Sequence, residues 1–411
     1  MGKKLVIVAD DLTGAGDTGV QFTKSGLVVK VIIGMESFRE EIYRCDVLVI
    51  DLETRMDAAK VAFEKCYSLG LLIREVEDVL VYKKVDSTLR GNIGAEIDGL
   101  MEALGVGVTL FAPALPAGGR TVVNGEVYVR GAKLADTEFA ADPRAPVKHS
   151  AVEEIVGAQS GRACYTVKTE VLRMGVTSAV TMLRQRMLID DGIYIFDSRE
   201  ERDLEDIAGV AEGVMNGSVL VAGSSGLARY LGRGYGVPVR KEPPAIRGGV
   251  FFVFAGSVSS ETQAQVRYVC GRGDSELVHL KGPDEENFVA VTESVNHLLA
   301  RGCRRLALAT SLSKEDVRED AAMMASVLGR LAALLIRTFH PSGVLLTGGE
   351  TAIQTLYALG ATGIRVVDEV LPGIQYGHLT GEDVPDCVVV TKAGGFGEED
   401  TILKILEFFN V

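Results

Sequence analysis

Two adjacent carboxylates follow the first apolar run of the chain. The run KLVIVA, residues 4–9, is typical of a strand that is buried on both faces, and Asp10 and Asp11 come directly after it. Ligands of parallel α/β sheets bind at the carboxyl ends of the strands. We therefore expect Asp10 and Asp11 to face a polyol or a metal ion. Both are candidate catalytic residues, because a carboxylate can accept the proton of a substrate hydroxyl.

The same stretch continues as GAGDTG, residues 14–19, whose glycines have the G-x-G-x-x-G spacing of a dinucleotide-binding turn. In that turn the pyrophosphate lies on the helix N-terminus, directly after the strand. Here each of the two preceding carboxylates would repel a phosphate charge at about 5 Å by roughly 3 kcal/mol, at an effective dielectric constant near ~20. A helix N-terminus returns only about 0.3–2 kcal/mol. The charges therefore favour the polyol or metal site, while an NAD site, or glycines that only allow close packing, stay open as alternatives.

A second polar stretch, YKKVDSTLRGNIGAEI, residues 82–97, continues another apolar strand. Its polar residues include the candidate substrate-binding residues Asp86, Ser87 and Arg90, and the two lysines Lys83 and Lys84. Adjacent strand residues point to opposite faces, so at most one of Lys83 and Lys84 can face the site. Arg90 can bind a carboxylate through two parallel hydrogen bonds, and Asp86 is a candidate catalytic acceptor for a hydroxyl proton. A polar helix cap with solvated bases is the alternative.

A third stretch, DLETR at residues 51–55, also follows an apolar strand. Arg55 is a second candidate for binding an anionic group, although an isolated arginine is more often an ordinary surface residue. Because three such stretches occur at strand ends, the sequence predicts a cluster of carboxylates and arginines for a small acidic polyol.

Strands and helices alternate along most of the chain, which is typical of a mostly parallel, doubly wound sheet. Strands are predicted at 28–33, 46–51, 79–85 and 108–114, and helices at 13–25, 56–69 and 92–104. Later apolar runs beginning at 251, 304, 343 and 386 predict further strands, and 284–302 and 316–339 have a helical period. Residues 115–150 break the alternation with Gly, Pro, Asp and short β-like pieces. This irregular segment, which carries Arg120, is expected to be a lid, a pocket wall or a plain connection.

The chain has 411 residues, more than one hydrophobic core usually supports. Pro238, Pro243 and Pro244 mark the segment 238–249, which has no apolar period, as a linker. The predicted fold is therefore α/β with two domains, 1–237 and 250–411. Each is expected to be a mostly parallel sheet flanked by helices, with the ligand site in the cleft between them.

Three glycine-containing turns follow strands in the second domain, at 255–265, 347–351 and 391–397. Free backbone N–H groups at such turns suit phosphates, and glycine allows the close approach of a ligand to the backbone. Each turn alone is weak evidence, because glycines often only reverse the chain. No G-x-x-x-x-G-K-[ST] sequence and no protein-kinase signature is present.

The composition narrows the class of partner. The formal net charge of −13 disfavours nucleic acid, whose phosphates require a basic surface. The six cysteines have no C-x-x-C spacing, so neither a zinc site nor a disulfide framework is indicated. The N-terminal apolar run is too short for a signal peptide, and no stretch approaches the roughly 20 apolar residues of a membrane span. We therefore expect a cytoplasmic protein with a small-molecule substrate and no nucleic-acid or membrane partner.

Seven ordered motifs resemble those of the four-carbon acid sugar kinases, which are ATP-dependent kinases of threonate, erythronate and 3-oxo-tetronate. The motifs are ADDLTGAGDTG, DLETR, KKVDSTLRGNIGAE, APALPAGGRTVVNG, GSVSSETQAQ, TGGET and TKAGGFG. They span residues 9 to about 397, nearly the whole chain. The departures are small: Gly16 stands where the family more often has alanine, and DLETR replaces a DTESR-like motif, which removes a hydroxyl from the expected pocket rim.

The resemblance implies an N-terminal sugar-acid domain and a C-terminal nucleotide domain. It implies that the sugar acid is held by Asp10, Asp11, Arg55, Lys84, Asp86 and Arg90, and that ATP is held by Ser257, Gly348, Gly349, Glu350, Thr351 and Gly394. Mg²⁺ would accompany ATP, with no protein ligand assigned to it. The 4-hydroxyl of the acid is the expected phosphorylation site.

Two other functions remain as alternatives. An NAD-dependent oxidoreductase of a small hydroxy acid would use the glycine turn at 14–19. A non-catalytic sugar-acid sensor would not need the glycine turns of the second domain. A homodimer is expected only because it is the commonest oligomeric state.

Overall fold

The structure is a computed structural model that describes residues 4–142, 145–214, 219–234, 246, 249–257, 259–280, 287–310 and 321–411. The chain divides into two compact units, Met1–Val239 and Arg240–Val411. Most of the predicted linker, 238–249, lies outside the described residues. In the part of the chain that is described, no helix combines the length and the apolar character that crossing a membrane requires.

The first unit contains a sheet whose strands all pair in parallel. Its strands are β1 (Lys4–Ala9), β2 (Val29–Ile33), β3 (Val47–Asp51), β4 (Val79–Lys84), β5 (Val108–Ala112), β9 (Cys164–Val167), β10 (Gly192–Phe196) and β11 (Val219–Gly223). Their order across the sheet is β2-β3-β1-β4-β11-β5-β10-β9. Because β3, β1 and β4 are neighbours, the three polar stretches that follow them meet at one edge of the sheet, as the sequence predicts.

Helices connect these strands. They are α1 (Leu12–Thr23), α2 (Phe38–Glu41), α3 (Ala59–Arg74), α4 (Ile93–Leu104), α5 (Val152–Gly157), α6 (Thr169–Arg173), α7 (Val176–Met187), α8 (Glu201–Val214) and α9 (Ser225–Arg233). Helix α1 begins directly after β1 because the Asp11 carboxylate caps it, accepting the Gly14 N–H at 3.0 Å. The strands β1, β3 and β5 are almost wholly buried, which explains why their sequences are continuous apolar runs.

The segment that breaks the alternation is more regular than the sequence suggests. It forms a small antiparallel sheet of β6 (Arg120–Val123), β7 (Glu126–Val129) and β8 (Ala132–Lys133). The β6–β7 turn is Asn124–Gly125, with both residues at positive φ, as a tight hairpin requires. The Asp197 carboxylate, after β10, accepts the N–H groups of both turn residues at 2.9 and 2.8 Å. This contact attaches the hairpin to the carboxyl edge of the sheet.

The second unit contains a mixed sheet. Its strands are β12 (Phe251–Ala255), β13 (Glu276–His279), β14 (Arg305–Ala309), β15 (Gly343–Thr347), β16 (Gly363–Leu371), β17 (Ile374–Thr380) and β18 (Val388–Lys392). The order is β13-β14-β12-β15-β18-β17-β16, in which the first five strands are parallel and β17 runs antiparallel to both neighbours. The predicted class, two α/β domains with mostly parallel sheets, is confirmed.

The helices of the second unit are α10 (Ser260–Gly271), α11 (Asn287–Ala300), α12 (Ala321–Phe339), α13 (Gly349–Leu359) and α14 (Thr401–Phe408). An aromatic cluster ties α14 to the sheet: the Phe409 ring lies 5.9 Å from that of Phe251 and 5.4 Å from that of Tyr376. Helices α10 and α13 begin at the carboxyl ends of β12 and β15, so their N-termini lie at the edge where the glycine turns are found.

Candidate functional site

The two carboxylates after β1 share one arginine. Arg55 Nε donates to Asp10 Oδ2 at 2.7 Å, and its two terminal nitrogens donate to the two Asp11 oxygens at 2.8 and 2.7 Å. Burial alone would raise the pKa of Asp10, but the positive charges of Arg55, Lys83 and Lys84 hold it below its usual range. The arginine that the sequence assigns to a ligand anion is therefore paired with the two predicted catalytic aspartates.

One oxygen of this network lacks a partner. Asp10 Oδ1 is buried, and no described residue donates a hydrogen bond to it. A buried carboxylate oxygen without a donor is costly, so the fold carries an acceptor that a ligand hydroxyl or a cation would satisfy. The polyol or metal site at Asp10 and Asp11 stays a prediction, and Asp10 Oδ1 is the open oxygen of the two carboxylates, since both Asp11 oxygens accept from Arg55.

The two consecutive lysines of β4 have different surroundings. Lys83 Nζ forms a fully buried ion pair with Glu96 Oε2 at 2.9 Å, and Glu96 also accepts the Thr54 hydroxyl at 2.5 Å. The Lys84 ammonium lies against the first turn of α1, where a Cβ on Gly14 would overlap it. Lys83 is therefore paired inside the fold, whereas Lys84, the predicted substrate-binding lysine, lies against α1; the charges of both lysines act on Asp10.

The loop after β4 places a second carboxylate–arginine pair beside the first. Arg90 Nε and Thr88 Oγ1 both donate to Asp86 Oδ2, each at 2.6 Å. Burial would raise the pKa of Asp86, but the charges of Arg90 and Arg55 hold it far below its usual range. Ser87 is half-buried in the same loop. The lowered pKa makes Asp86 an ionised hydrogen-bond acceptor and a weak base.

Residues of the hairpin segment complete the surroundings of Asp86. Arg90 donates to Asp142 at 3.3 Å and lies 5.4 Å from the centre of the Phe139 ring. Arg120, at the start of β6, has a buried Nε without an acceptor among the described residues. Burial lowers the pKa of Arg120, and the charges of Arg130 and Arg90 lower it further against the attraction of Asp86. Arg120 is thus a cation that an anionic ligand group would stabilise.

From the sequence, Arg120 could be assigned only to a lid, a pocket wall or a connection, because its approach to Asp86 depends on how the hairpin folds back.

A cavity of about 370 Å³ adjoins the network in the first unit. Arg55, Gly91 and Asn92 line it, together with Val147, Lys148 and His149. This volume is within the range of small-ligand pockets.

The second unit brings the six predicted ATP-binding residues together. A Cβ on Gly394 would overlap Ser257 Oγ, and one on Gly348 would lie 3.3 Å from Ser257 Cβ. Gly349, Glu350 and Thr351 form the first turn of α13, and a Cβ on Gly256 would overlap Thr351 Oγ1. Close packing therefore requires glycine at 394, and the positive φ of 97° favours it at 348. The sequence missed one residue here, the buried Lys392 at the end of β18.

Among the described residues, no group of three or more His, Cys, Asp or Glu side chains is arranged to hold a metal ion. The metal ligand left unassigned by the sequence therefore stays unassigned.

Comparisons with known proteins give matches over nearly the whole chain. A family model described as a sugar-binding N-terminal domain matches residues 5–231, and one described as a nucleotide-binding C-terminal domain matches residues 252–402. The D-threonate kinase of Salmonella typhimurium LT2 is 36% identical over 98% of both proteins. The D-threonate kinase of Bordetella bronchiseptica RB50 is 32% identical over 98% of this chain and 96% of its own length. The D-erythronate kinase of Heliobacterium modesticaldum Ice1 is 28% identical over 98% and 96%.

Solved structures agree with the fold. A Salmonella typhimurium LT2 protein described as a proposed tRNA synthase has a TM-score of 0.82 and 25% identity, over 98% of both chains. A Bordetella bronchiseptica domain of unknown function, crystallised with citrate as a domain-swapped dimer, has a TM-score of 0.50 and 31% identity, over 100% of this chain and 98% of that one. The first of these crystal structures therefore has the same fold as this chain over nearly its full length.

Proposed function

Since this chain belongs to the four-carbon acid sugar kinase family, and is thus a phosphotransferase that acts on a hydroxyl group, we propose that it uses ATP to phosphorylate the 4-hydroxyl of a four-carbon sugar acid. The family resemblance predicted from seven motifs is confirmed. D-Threonate is the proposed acid, because the relatives at 36% and 32% identity both carry that name. Erythronate and 3-oxo-tetronate are the alternative substrates.

The network of aspartates and arginines in the first unit carries this proposal. A sugar acid presents hydroxyl donors and one carboxylate. The hydroxyls require acceptors, which Asp10 Oδ1 and Asp86 provide, and the carboxylate requires a cation with an open donor, which Arg120 provides. Lys84 and Arg90 supply further positive charge beside the two aspartates. The first unit is therefore the proposed substrate domain.

Asp86 is the proposed contact of the reacting hydroxyl. Both of its protein donors bind Oδ2, so Oδ1 is available in the proposed complex. Phosphoryl transfer depends mainly on positioning and charge neutralisation, and it passes through a loose transition state. A low-pKa carboxylate that orients the hydroxyl fits that requirement better than a strong base. Asp10 and Asp11 hold Arg55 in place, and Asp10 adds an acceptor for a second hydroxyl.

The glycine turns of the second unit fit ATP. Glycines at 348 and 394 bring three strand ends together, and a Cβ on Gly395 would meet no atom within 4 Å, so the backbone there is open to a ligand. Ser257, Gly348, Gly349, Glu350, Thr351 and Gly394 would hold the nucleotide. When bound, ATP supplies the phosphoryl group and Mg²⁺ neutralises the charge of its phosphates. The second unit is therefore the proposed nucleotide domain.

A homodimer is part of the proposal, because the Bordetella bronchiseptica relative crystallised as a domain-swapped dimer. Light scattering coupled to size-exclusion chromatography tests it. A mass near that of the 43.9 kDa monomer at assay concentration would contradict the dimer and leave the proposed reaction untouched.

The deciding experiment measures ADP release from MgATP with threonate, erythronate and 3-oxo-tetronate, each in both enantiomeric series. We expect turnover with D-threonate, and NMR of the product should place the phosphate on C4. A parallel assay of NAD(P)⁺ reduction tests the oxidoreductase alternative. Turnover of a different acid would correct the substrate, whereas NAD⁺ reduction without ADP release would overturn the proposed function.

A further inference from the structure

Lys392 is a buried lysine in the second unit whose ammonium binds backbone carbonyls instead of a carboxylate. Its side chain is 1% exposed. Nζ donates to the carbonyl oxygens of Ala393 at 2.9 Å, Gly394 at 3.2 Å and Phe396 at 3.2 Å, and it lies 3.4 Å from Thr262 Oγ1. Within the described part of the chain, no carboxylate lies at salt-bridge distance from it. A fully buried lysine without an ion pair is rare, and the cost of burying it calls for a reason.

The loop that follows Lys392 wraps around the ammonium. The Phe396 N–H donates to the Ala393 carbonyl at 3.1 Å, which closes a tight turn over residues 393–396. The Gly394 carbonyl also accepts from Ser259 Oγ at 2.7 Å and from Thr262 Oγ1 at 2.8 Å. Each of these hydrogen bonds fixes the direction of a peptide group. The side chains of Lys392, Ser259 and Thr262 therefore determine the conformation of the loop.

The direction of the carbonyls also fixes the direction of the N–H groups. The described peptide bonds are all trans, and in a planar trans peptide the N–H points opposite to the C=O. Because the carbonyls of residues 393, 394 and 396 face Lys392, the N–H groups of Gly394, Gly395 and Gly397 face the other way. In the described chain no protein acceptor binds these three N–H groups. Free backbone N–H groups of a turn, on the side of the loop away from the lysine, are donors that an anion can bind.

We infer that Lys392 is a positioning residue that shapes residues 393–397 into a phosphate-binding loop, acting through the peptide groups without touching the phosphates. The inference rests on the proposed nucleotide site, and it names the residue that sets the geometry of that site. A bound phosphate would place negative charge on the far side of peptides whose carbonyls already face a positive charge. Lysine therefore polarises the same peptides that would bind the anion.

The protonation of Lys392 provides a readout that a packing role would not produce. Burial lowers its pKa to about 8, and Glu261, in the first turn of α10, opposes that change. From the other elements packed against it, α10 and β15 contribute the hydroxyls of Thr262 and Thr347, so Glu261 is the charged group acting on it among the described residues. The ammonium is present below this pKa and is lost above it. Nucleotide affinity should therefore fall as the pH rises through about 8.

The first test replaces Lys392 with methionine, which keeps the length of the side chain and removes the charge. Calorimetry should show MgADP affinity falling by about tenfold or more, because the variant loses the charge that orients and polarises the peptide groups of the loop. The KM for the sugar acid and the inhibition constant of adenosine, which has no phosphate, should stay near wild-type values. Lys404→Met is the matched control, because Lys404 is a half-exposed lysine of the same unit that pairs with Asp400.

The second test needs no variant. MgADP affinity of the wild-type protein is measured from about pH 6.5 to about pH 9.5, and a decline centred near the pKa of Lys392 is expected. If Lys392→Met does not fold, this titration decides alone, and a flat profile overturns the inference. Equal MgADP affinity for wild type and Lys392→Met also overturns it, while the proposed function stands. A wild-type protein that binds no nucleotide at all would overturn both.

Discussion

Asp86→Asn separates orientation of the substrate hydroxyl from general-base catalysis. The replacement preserves the shape of the side chain and removes its charge. In the structure Asp86 Oδ2 accepts from Thr88 Oγ1 and Arg90 Nε, both at 2.6 Å, and Oδ1 is the proposed acceptor for the 4-hydroxyl. The variant should fold, because Arg90 keeps its contact with Asp142 and Asp86 is not fully buried.

The expected loss follows from the hydrogen bond to the reacting hydroxyl. A hydrogen bond to a charged group contributes about 1.5–3 kcal/mol, and a neutral amide keeps only part of it. The upper end of this range, a loss of ~3 kcal/mol in the transition state, corresponds to a kcat roughly 10²-fold lower, which is the largest effect expected from orientation alone. A general base would add a further factor within about 10²–10⁴. The depressed pKa of Asp86 argues against that addition, so we expect a decrease of about 10²-fold rather than a larger one.

The pH dependence of kcat is a second test of the role of Asp86. A pKa held below its usual range keeps Asp86 ionised at every pH above that range, so the acceptor is lost only in strong acid. Wild-type kcat should therefore show no acid limb from Asp86 between about pH 5 and pH 8. The assay is ADP release at saturating MgATP and D-threonate, with MgATP binding measured separately and expected to survive.

Asp142→Asn is the matched control for this experiment. Asp142 also contacts Arg90, at 3.3 Å, but through the outer nitrogen, so its loss should change kcat by less than about threefold. If Asp86→Asn keeps a kcat close to wild type, Asp86 does not contact the reacting hydroxyl. If instead it raises only the KM for the acid, Asp86 binds the ground state and transition state equally, and the orientation argument is wrong.

Three further changes test other parts of the structure. Arg120→Ala should raise the KM for the sugar acid about tenfold in steady-state kinetics, because it removes a buried cation with an open donor, while an unchanged KM would exclude a carboxylate contact. Gly394→Ala should raise the KM for ATP, since its Cβ would overlap the neighbouring serine hydroxyl, whereas Gly271→Ala, at the C-terminal end of α10, where a Cβ meets nothing within 4 Å, should leave it unchanged; equal effects would contradict the packing argument. Lys83→Met should lower the free energy of unfolding in urea by about 3–5 kcal/mol, and Lys83→Met combined with Glu96→Leu should recover most of it; no recovery would show that the unpaired carboxylate is not the cause.

Much of the fold follows from apolar runs that are long, unbroken and bounded by polar residues. The strands β1, β3, β12 and β15 are of this kind: β1 and β3 lie within one residue of their predicted bounds, and β12 and β15 begin at the predicted residues. Helix α3 begins at Ala59 rather than Met56, because the backbone before it forms a turn closed by Asp57 N–H and the Thr54 carbonyl at 3.1 Å. No apolar period marks such a turn, so periodicity alone could not place this boundary.

Two antiparallel pieces were harder to predict. The strands β16 and β17 are only partly buried, and their apolar residues do not form a continuous run. Pro372 and Gly373 between them were the available signal, and Gly373 has the positive φ that a tight turn uses. The hairpin of β6 and β7 had a similar signal in Asn124–Gly125. In both cases turn residues, rather than apolar period, carried the information.

The candidate site was predicted as a set of positions, but its internal pairing was not. Parallel strands brought Asp10, Arg55 and Asp86 to one edge, which strand-end placement anticipates. The pairing of Arg55 with the two aspartates could not be predicted from the sequence, because they lie 45 and 44 positions away from it in the chain. The burial of Lys392 was equally hidden, because a lysine at a strand end is usually solvated.

The structure offers a physical criterion for dividing these charged residues into scaffold and ligand contacts. Lys83 is paired with Glu96, and Arg55 is paired with Asp10 and Asp11. We therefore assign both to the scaffold that positions other groups. Asp10 Oδ1 and Arg120 Nε are buried polar atoms without partners among the described residues, and such atoms destabilise a folded chain. A chain that retains both an open acceptor and an open donor at one edge of one sheet carries a cost that a ligand with a hydroxyl and a carboxylate would offset. A sugar acid has both groups, which is why the unsatisfied atoms, more than the paired ones, support the proposed substrate side of the site.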